Sequence, residues 1–455
     1  MNILIIGNGF DLAHELPTGY PDFLGFCRMI IAVYAKERNK NADKVWENLG
    51  IKLKREINTE RLRMKFLELY STSIIENDEY RGSIVRTKTF FDELSDDIEN
   101  NIWIEYFLQN PMYQKENWID FESEISKVIQ SVDEGMKLSE RVPSSLEDEV
   151  YDLNNEFIEE YFFKYDAISD TTDEIVIGSL DNITYRIVRD KLYRDLNKLI
   201  RALEIYLTEY VGKIECTLIS PDIEDIVIRR GIDEDGTERN IISKVLSFNY
   251  SNTYERKYLS RQTGLIDSYI DYIHGKADID NTIESNNMVL GIDEYLPKNR
   301  KNKDIEFIAF KKFYQRIYKE TGCKYKEWID NIKDEYERYL KRKADAIARE
   351  NMYISDTMHR VMARYEIEEI KAEKCKKHYL FIFGHSLDVT DGDILRDLIL
   401  NDNVYTTIYY LNKDAMGQQI TNLVKVIGQD ELIRRTGGNT KTIEFKLQQD
   451  MVDRK

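Results

Sequence analysis

The feature that most constrains the fold is a set of short, unbroken apolar runs, each ending in Gly, Asn or His. Asn2–Ile6 runs into Gly7-Asn8-Gly9, Val245–Phe248 into Asn249-Tyr250, and Tyr269–Ile273 into His274-Gly275. Met288–Leu290 ends at Gly291, and Tyr379–Phe383 at Gly384-His385-Ser386. Thr407–Leu411 follows soon after, and Thr442–Leu447 reads as a final strand. Apolar residues at successive rather than alternate positions imply strands covered on both faces, as in a parallel sheet between helices. Ligands of such sheets sit beyond the carboxyl ends of the strands. The residues gathered at these ends are small or can hydrogen-bond a ligand.

The intervals between the runs read as helical. From Leu192, the residues Leu196, Leu199, Leu203 and Leu207 recur at spacings of four, three, four and four, which is one face of a helix. Phe307, Phe310, Tyr314 and Ile317 repeat the pattern, and both sets read as core packing between helices. The expected fold is therefore α/β. A Rossmann-like, mostly parallel sheet is assembled from residues 1–27, 241–296 and 376–455. Two large α-helical insertions, 28–240 and 297–375, interrupt it.

Composition narrows the function. With 42% hydrophobic and 33% charged residues, the chain reads as a folded, water-soluble protein. Its net charge of −18 argues against general nucleic-acid or anionic-membrane binding. Lys298 to Lys377 is rich in Lys and Arg, which reads as a solvated helical face, with a partner contact as the alternative. No apolar run is long enough to span a bilayer, and Ile3–Ile6 runs into a glycine turn, as a buried strand does and a signal peptide does not. Cys27, Cys216, Cys323 and Cys375 are scattered without a C-x-x-C pair, so reduced cytoplasmic thiols and no structural metal are expected.

Five motifs carry possible chemistry. Gly7-Asn8-Gly9-Phe10-Asp11 after a strand reads either as a nucleotide-phosphate loop or as a simple tight turn, since Leu12 stands where the dinucleotide fingerprint has its third glycine. Pro17, Thr18 and Tyr20 follow in a rigid loop able to cap a ligand. Asn249 at a strand end can orient a water or a ribose hydroxyl, or can cap the next helix. His274, beside Gly275, can take a proton near neutral pH. Gly384-His385-Ser386-Leu387-Asp388 departs from the G-x-S-x-G nucleophile elbow at its last position. No histidine suitable to complete the Ser…Asp…His order follows it. A nucleotide-binding turn remains, with Ser386 as a ligand group and Asp391 placed for a ribose. Finally, Asp120 and Glu122 in Trp118-Ile119-Asp120-Phe121-Glu122 could bind a metal or serve acid–base chemistry, though solvated acids are the simpler reading in so acidic a chain.

The run IIGNGFDLAHELPTGYPDFL, followed in order by WIDFE, SFNYSNTYE, YIHGKA, VLGIDE and FGHSLDVTD, resembles the AbiH family of bacterial abortive-infection proteins. More distantly, Gly7 to Asp11, Leu16-Pro17, Asn249-Tyr250, His274-Gly275 and Gly384 to Asp391 resemble the ordered motifs of sirtuin-like domains. Three positions depart from that pattern. Asp11 stands where serine is usual, Ser251 replaces the aspartate after Asn-Tyr, and the late aspartate is displaced by two residues. The absent C-x-x-C pairs remove the zinc module of the deacetylases. The resemblance thus implies an anti-phage NAD glycohydrolase with Asn249 and His274 as catalytic residues. Gly7, Asn8, Gly9, Phe10, Asp11, Pro17, Thr18, Tyr250, Gly384, Ser386 and Asp391 would bind the nucleotide. It implies no cofactor beyond NAD as substrate, a phage-derived trigger and a homo-oligomer. A nucleotide sensor without turnover, and a nuclease or RNA-targeting toxin built on the insertions, are the alternative functions.

Overall fold

The computed structural model describes residues 1–38, 94, 97–116, 119–141, 182–227, 244–259, 270–352, 356–373 and 375–454. Among these, the strands are β1 (Asn2–Ile6), β2 (Leu218–Ile219), β3 (Lys244–Ser247), β4 (Ile270–Tyr272), β5 (His378–Phe383), β6 (Val404–Tyr410), β7 (Ile443–Leu447) and β8 (Val452–Asp453). The helices in the first half are α1 (Asn8–Ala13), α2 (Tyr20–Arg38), α3 (Ile102–Gln109), α4 (Pro111–Glu116), α5 (Phe121–Arg141), α6 (Asn182–Ile205), α7 (Pro221–Val227) and α8 (Thr253–Lys257). Those in the second half are α9 (Lys312–Tyr318), α10 (Tyr325–Met352), α11 (Thr357–Glu373), α12 (Gly392–Ile399), α13 (Lys413–Ile427) and α14 (Gln429–Thr436).

Six strands form one sheet in the order β4-β3-β1-β5-β6-β7, and every neighbouring pair is parallel. The expected parallel α/β sheet is therefore present. From β1 the chain lays down β3 and β4 on one side, then returns to add β5, β6 and β7 on the other. The crevice at that reversal, between the ends of β1 and β5, is where ligands of such sheets bind.

The continuous apolar runs follow from two covered faces. Ile3 and Ile5 share a core with Leu246, Leu380, Ile382 and Ile408, and helices α10, α12, α13 and α14 contribute Trp328, Leu395, Leu423 and Leu432. Leu4 and Ile6 point to the opposite face, where Ile223, Tyr254 and Phe10 of α7, α8 and α1 cover them. A separate helical core joins Phe23, Trp103, Phe121 and Leu199 from α2, α3, α5 and α6. The face read from Leu192 to Leu203 lies within α6, and Leu207 lies in the turn of π-helix that follows it. A short antiparallel pair, β2 with β8, ties the C-terminal segment back to this region.

Two sequence expectations differ from the structure. Met288–Leu290 is buried but is not a strand. The Val289 N–H donates to the His274 carbonyl, and Leu290 exchanges hydrogen bonds with the Gln315 side chain, so its polar backbone is satisfied without a ladder. The second helical face is also broken. Phe307 and Phe310 are buried, but an extended Lys311 separates them from α9, whose Ile317 is 69% exposed. The break turns Lys311 and Lys312 inward instead.

Candidate functional site

Gly7 and Gly9 are required by a close approach between two turns. The Gly9 N–H donates to the Gly384 carbonyl at 2.8 Å, and the Gly7 N–H donates to the Phe383 carbonyl at 3.2 Å. A Cβ at Gly9 would stand 2.9 Å from the Gly384 backbone. Gly384 itself has φ +66°, and a Cβ there would meet the Phe10 nitrogen at 2.2 Å. The turns after β1 and β5 thus interlock, and their amides bond to one another. Phe10 is buried against His14, Tyr254, Tyr258 and Phe383, a core position. Asn8 and Ser386 flank the interlock and are exposed. Thr18 donates to Asn8 at 2.6 Å, and the Pro17 carbonyl accepts the Tyr206 hydroxyl.

Asn249 closes β3 and is drawn to α1. Its amide donates to Asp11 Oδ2 at 3.1 Å, and Ser251 donates to the same oxygen at 2.6 Å. Ser251 and Asp11, two residues that depart from the sirtuin-like pattern, are thus hydrogen-bond partners. Burial pushes the Asp11 carboxyl up to about 6, against the pull of Ser251, Thr253 and Arg256. Asn249 Oδ1 is buried without a hydrogen-bond partner. The helix after it begins beyond Asn252, so Asn249 is not its cap.

His274 follows β4 and Asp391 follows β5, and the fold brings them together. His274 Nε2 faces Asp391 Oδ1 at 3.3 Å, while His385 Nε2 faces Asp391 Oδ2 at 3.5 Å. The Phe248 ring packs edge-on against both imidazoles, with centroids 5.6 Å from His274 and 4.4 Å from His385. His385 Nδ1 accepts the Leu387 N–H at 2.9 Å, so the neutral ring carries its proton on Nε2, toward Asp391. That bond is made by a left-handed turn, since the buried Leu387 has φ +60°. His274 Nδ1 is buried and makes no hydrogen bond. Burial lowers the His274 pKa although Asp391 opposes it, so the ring is held neutral.

Two long connections, one between β1 and β2 and one between β4 and β5, reach this cluster. Lys312, 3% exposed at the start of α9, places Nζ 2.7 Å from Glu122 Oε2 and 3.8 Å from Asp391 Oδ1. Glu122 lies in the first turn of α5, and Asp120 caps that helix by accepting from the Glu122 and Ser123 N–H groups. The solvated reading of this pair therefore gives way for Glu122, whose side chain is only 18% exposed. Burial, with Asp391 and Asp120 nearby, raises its carboxyl, and the Lys312 ammonium in contact with it opposes that rise by favouring the anion. Burial opposes ionisation of Asp391 too, but Lys312, His274 and His385 outweigh it and hold the group well below the usual range. Lys312 is held charged by Glu122, Asp391 and Asp293 against the cost of burial. Tyr20 stacks on Phe121 at 4.0 Å, and the Tyr250 hydroxyl donates to the Val289 carbonyl at 2.8 Å.

Sequence reasoning singled out His274 and Asp391 separately but had no sign that they meet. It passed over Lys312, hidden inside a basic stretch, and treated His385 only as part of a turn. Trp118 of the acidic motif lies outside the described residues. Within the described residues, no helix is long and apolar enough to cross a membrane, and no group of three or more His, Cys, Asp or Glu side chains is arranged to hold a metal.

Neither the curated proteins nor the solved structures offer a match to the chain. The family described as bacteriophage abortive infection AbiH matches residues 3–410, which runs from β1 through β6. A match over most of the chain, covering every motif of the site, places this protein in the AbiH family of bacteriophage abortive-infection proteins.

Proposed function

We propose that this AbiH protein acts by hydrolysing NAD to nicotinamide and ADP-ribose at the carboxyl ends of β1, β3, β4 and β5. The observation that carries the reading is the pair of buried, unpartnered atoms His274 Nδ1 and Asn249 Oδ1 at the ends of adjacent strands. Leaving such an atom unsatisfied costs about 1–3 kcal/mol, and two of them side by side support a ligand that supplies the partners. The strand order supports the reading as well, because it is the order of dinucleotide-binding Rossmann sheets.

In this reading Asp391 accepts the Nε2–H of His274, which leaves Nδ1 with the lone pair. Water attacks C1′ of the nicotinamide ribose as the C1′–N bond breaks, and its electron pair neutralises the departing pyridinium ring. The water proton passes to His274 Nδ1 and then to solvent. Asn249 orients the water or a ribose hydroxyl. Pyridinium is already a good leaving group, so positioning and stabilisation of the oxocarbenium-like state supply most of the rate. Tyr250 and Asp391 border the ribose, while the exposed Ser386 and the hydrogen-bonded pair Asn8 and Thr18 are polar groups of the rim that meet phosphates. Gly7, Gly9 and Gly384 shape that rim, and Phe10, Asp11 and Pro17 support it from behind. In this reading the protein acts in the bacterial cytoplasm.

NAD consumption by the pure protein, with and without phage lysate, tests this. Turnover by the wild type, reduced about 10²–10⁴-fold in Asn249→Ala and His274→Ala, is expected. Binding of NAD without release of nicotinamide under either condition would make the protein a nucleotide sensor and end the hydrolase reading.

A further inference from the structure

The contact of Glu122 and Lys312 with the strand-end cluster takes a charged lysine out of water. Lys312 is fixed there by more than its charge. Its N–H donates to the Ile292 carbonyl at 2.9 Å, and the Ile292 N–H donates to the Phe310 carbonyl at 2.8 Å, so the backbone before α9 is clamped to the segment that follows His274. The neighbouring Lys311 bonds to Glu294 at 2.7 Å, which leaves Lys312 alone to face Glu122 and Asp391. Lys312 Nζ and His274 Nε2 face the same oxygen of Asp391, while His385 faces the other.

We propose that Lys312 and Glu122, one from each of the two long connections, are positioning residues that set the charge and tautomer of His274 through Asp391. The inference rests on the reading of His274 as the base. Lys312 keeps Asp391 an anion and adds positive potential beside the imidazole. The anion holds the proton of the neutral ring on Nε2, and the potential keeps a second proton off Nδ1. Glu122 moderates that potential by sharing the lysine. The other charged groups facing the cluster act alongside. Arg316 of α9 adds to the positive potential at His274. Asp293 and Asp120 add to the negative potential around Lys312 and Glu122.

The two substitutions should then act in opposite directions. Lys312→Met lets the cluster take up a proton at His274, so the imidazole protonates at higher pH. Glu122→Gln leaves the lysine charge less neutralised, so the imidazole protonates at lower pH than in the wild type. The measurement is ¹⁵N NMR titration of the full-length protein labelled at its five histidines, with the His274 signals identified by their loss in His274→Gln. The wild type should show a neutral Nε2–H ring at pH 7, and the variants should shift its titration in opposite senses. Turnover should follow, with the acid limb of the pH–rate profile moving up in Lys312→Met, about tenfold in rate for each pH unit of displacement. Unmoved His274 signals in Glu122→Gln, or an Nδ1–H tautomer in the wild type, overturn the proposal. Glu122→Gln decides the matter even where Lys312→Met fails to fold. A wild type that releases no nicotinamide defeats the hydrolase reading alone, because the titration is read without substrate.

Discussion

Replacing Asp11 by Asn removes a buried ionisable group while keeping an oxygen able to accept from Asn249 and Ser251. Asp11 is 1% exposed, and burial pushes its carboxyl from 3.8 up to about 6. A displacement of that size corresponds to about 3 kcal/mol between the protonated and ionised forms. The sign follows from the direction. The folded value lies above the unfolded one, so the folded state binds more protons between them, and stability falls as pH rises. The contribution is whole below about pH 4 and is lost as pH climbs through about 6, so that roughly 2 kcal/mol disappears between about pH 4.5 and 7.5. Asp11→Asn lacks this component. Urea unfolding of both proteins at those two pH values, which straddle the isoelectric point near 5.0, isolates it because every other titrating group is shared. The variant should gain about 2 kcal/mol relative to the wild type between the lower and the higher pH. A wild-type-minus-variant difference that is the same at both would refute the claim that burial governs this carboxyl.

Gly384→Ala combines a left-handed φ of +66° with a Cβ 2.2 Å from the Phe10 nitrogen, whereas Gly438→Ala has φ +65° and nothing within 4 Å. The first should cost about 2–5 kcal/mol and the second only about 1–2, read from urea midpoints at unchanged slope. Glu204→Ala breaks a buried pair with Arg201 and removes the acceptor for Asp278 N–H, Asn281 and Asn286. A loss of about 3–5 kcal/mol is expected in the same assay. Asp222→Ala removes the buried acceptor of the Gln449 N–H at 2.7 Å and of Lys446 at 3.1 Å. Limited proteolysis should then cut the C-terminal segment faster than in the wild type while the sheet stays intact.

Much of the sheet was legible because its physics is local. A strand buried on both faces needs apolar residues at successive positions, and β1, β3, β4, β5, β6 and β7 each announce themselves that way or by a turn beside them. Met288–Leu290 misled for the same reason, since burial alone produces an apolar run and the Gln315 side chain here does the work of a neighbouring strand. Phe307 to Ile317 misled because spacing reveals periodicity but not a single extended residue such as Lys311 that rotates the second half away. Asp120 and Glu122 were visible as a pair. Their surroundings were not, because nothing in the sequence around them refers to Lys312.

The sequence by itself determined the α/β class, the parallel sheet, the strand-end residues and the resemblance to AbiH proteins, all of which depend on residues close together in the chain. Only the tertiary structure decided which of those residues meet. Gly9 and Gly384 lie far apart in the chain yet touch because β1 and β5 are neighbours. His274, Asp391, Lys312 and Glu122 come from four separate segments, and whether a buried charge is neutralised depends on the distance across the fold to its partner.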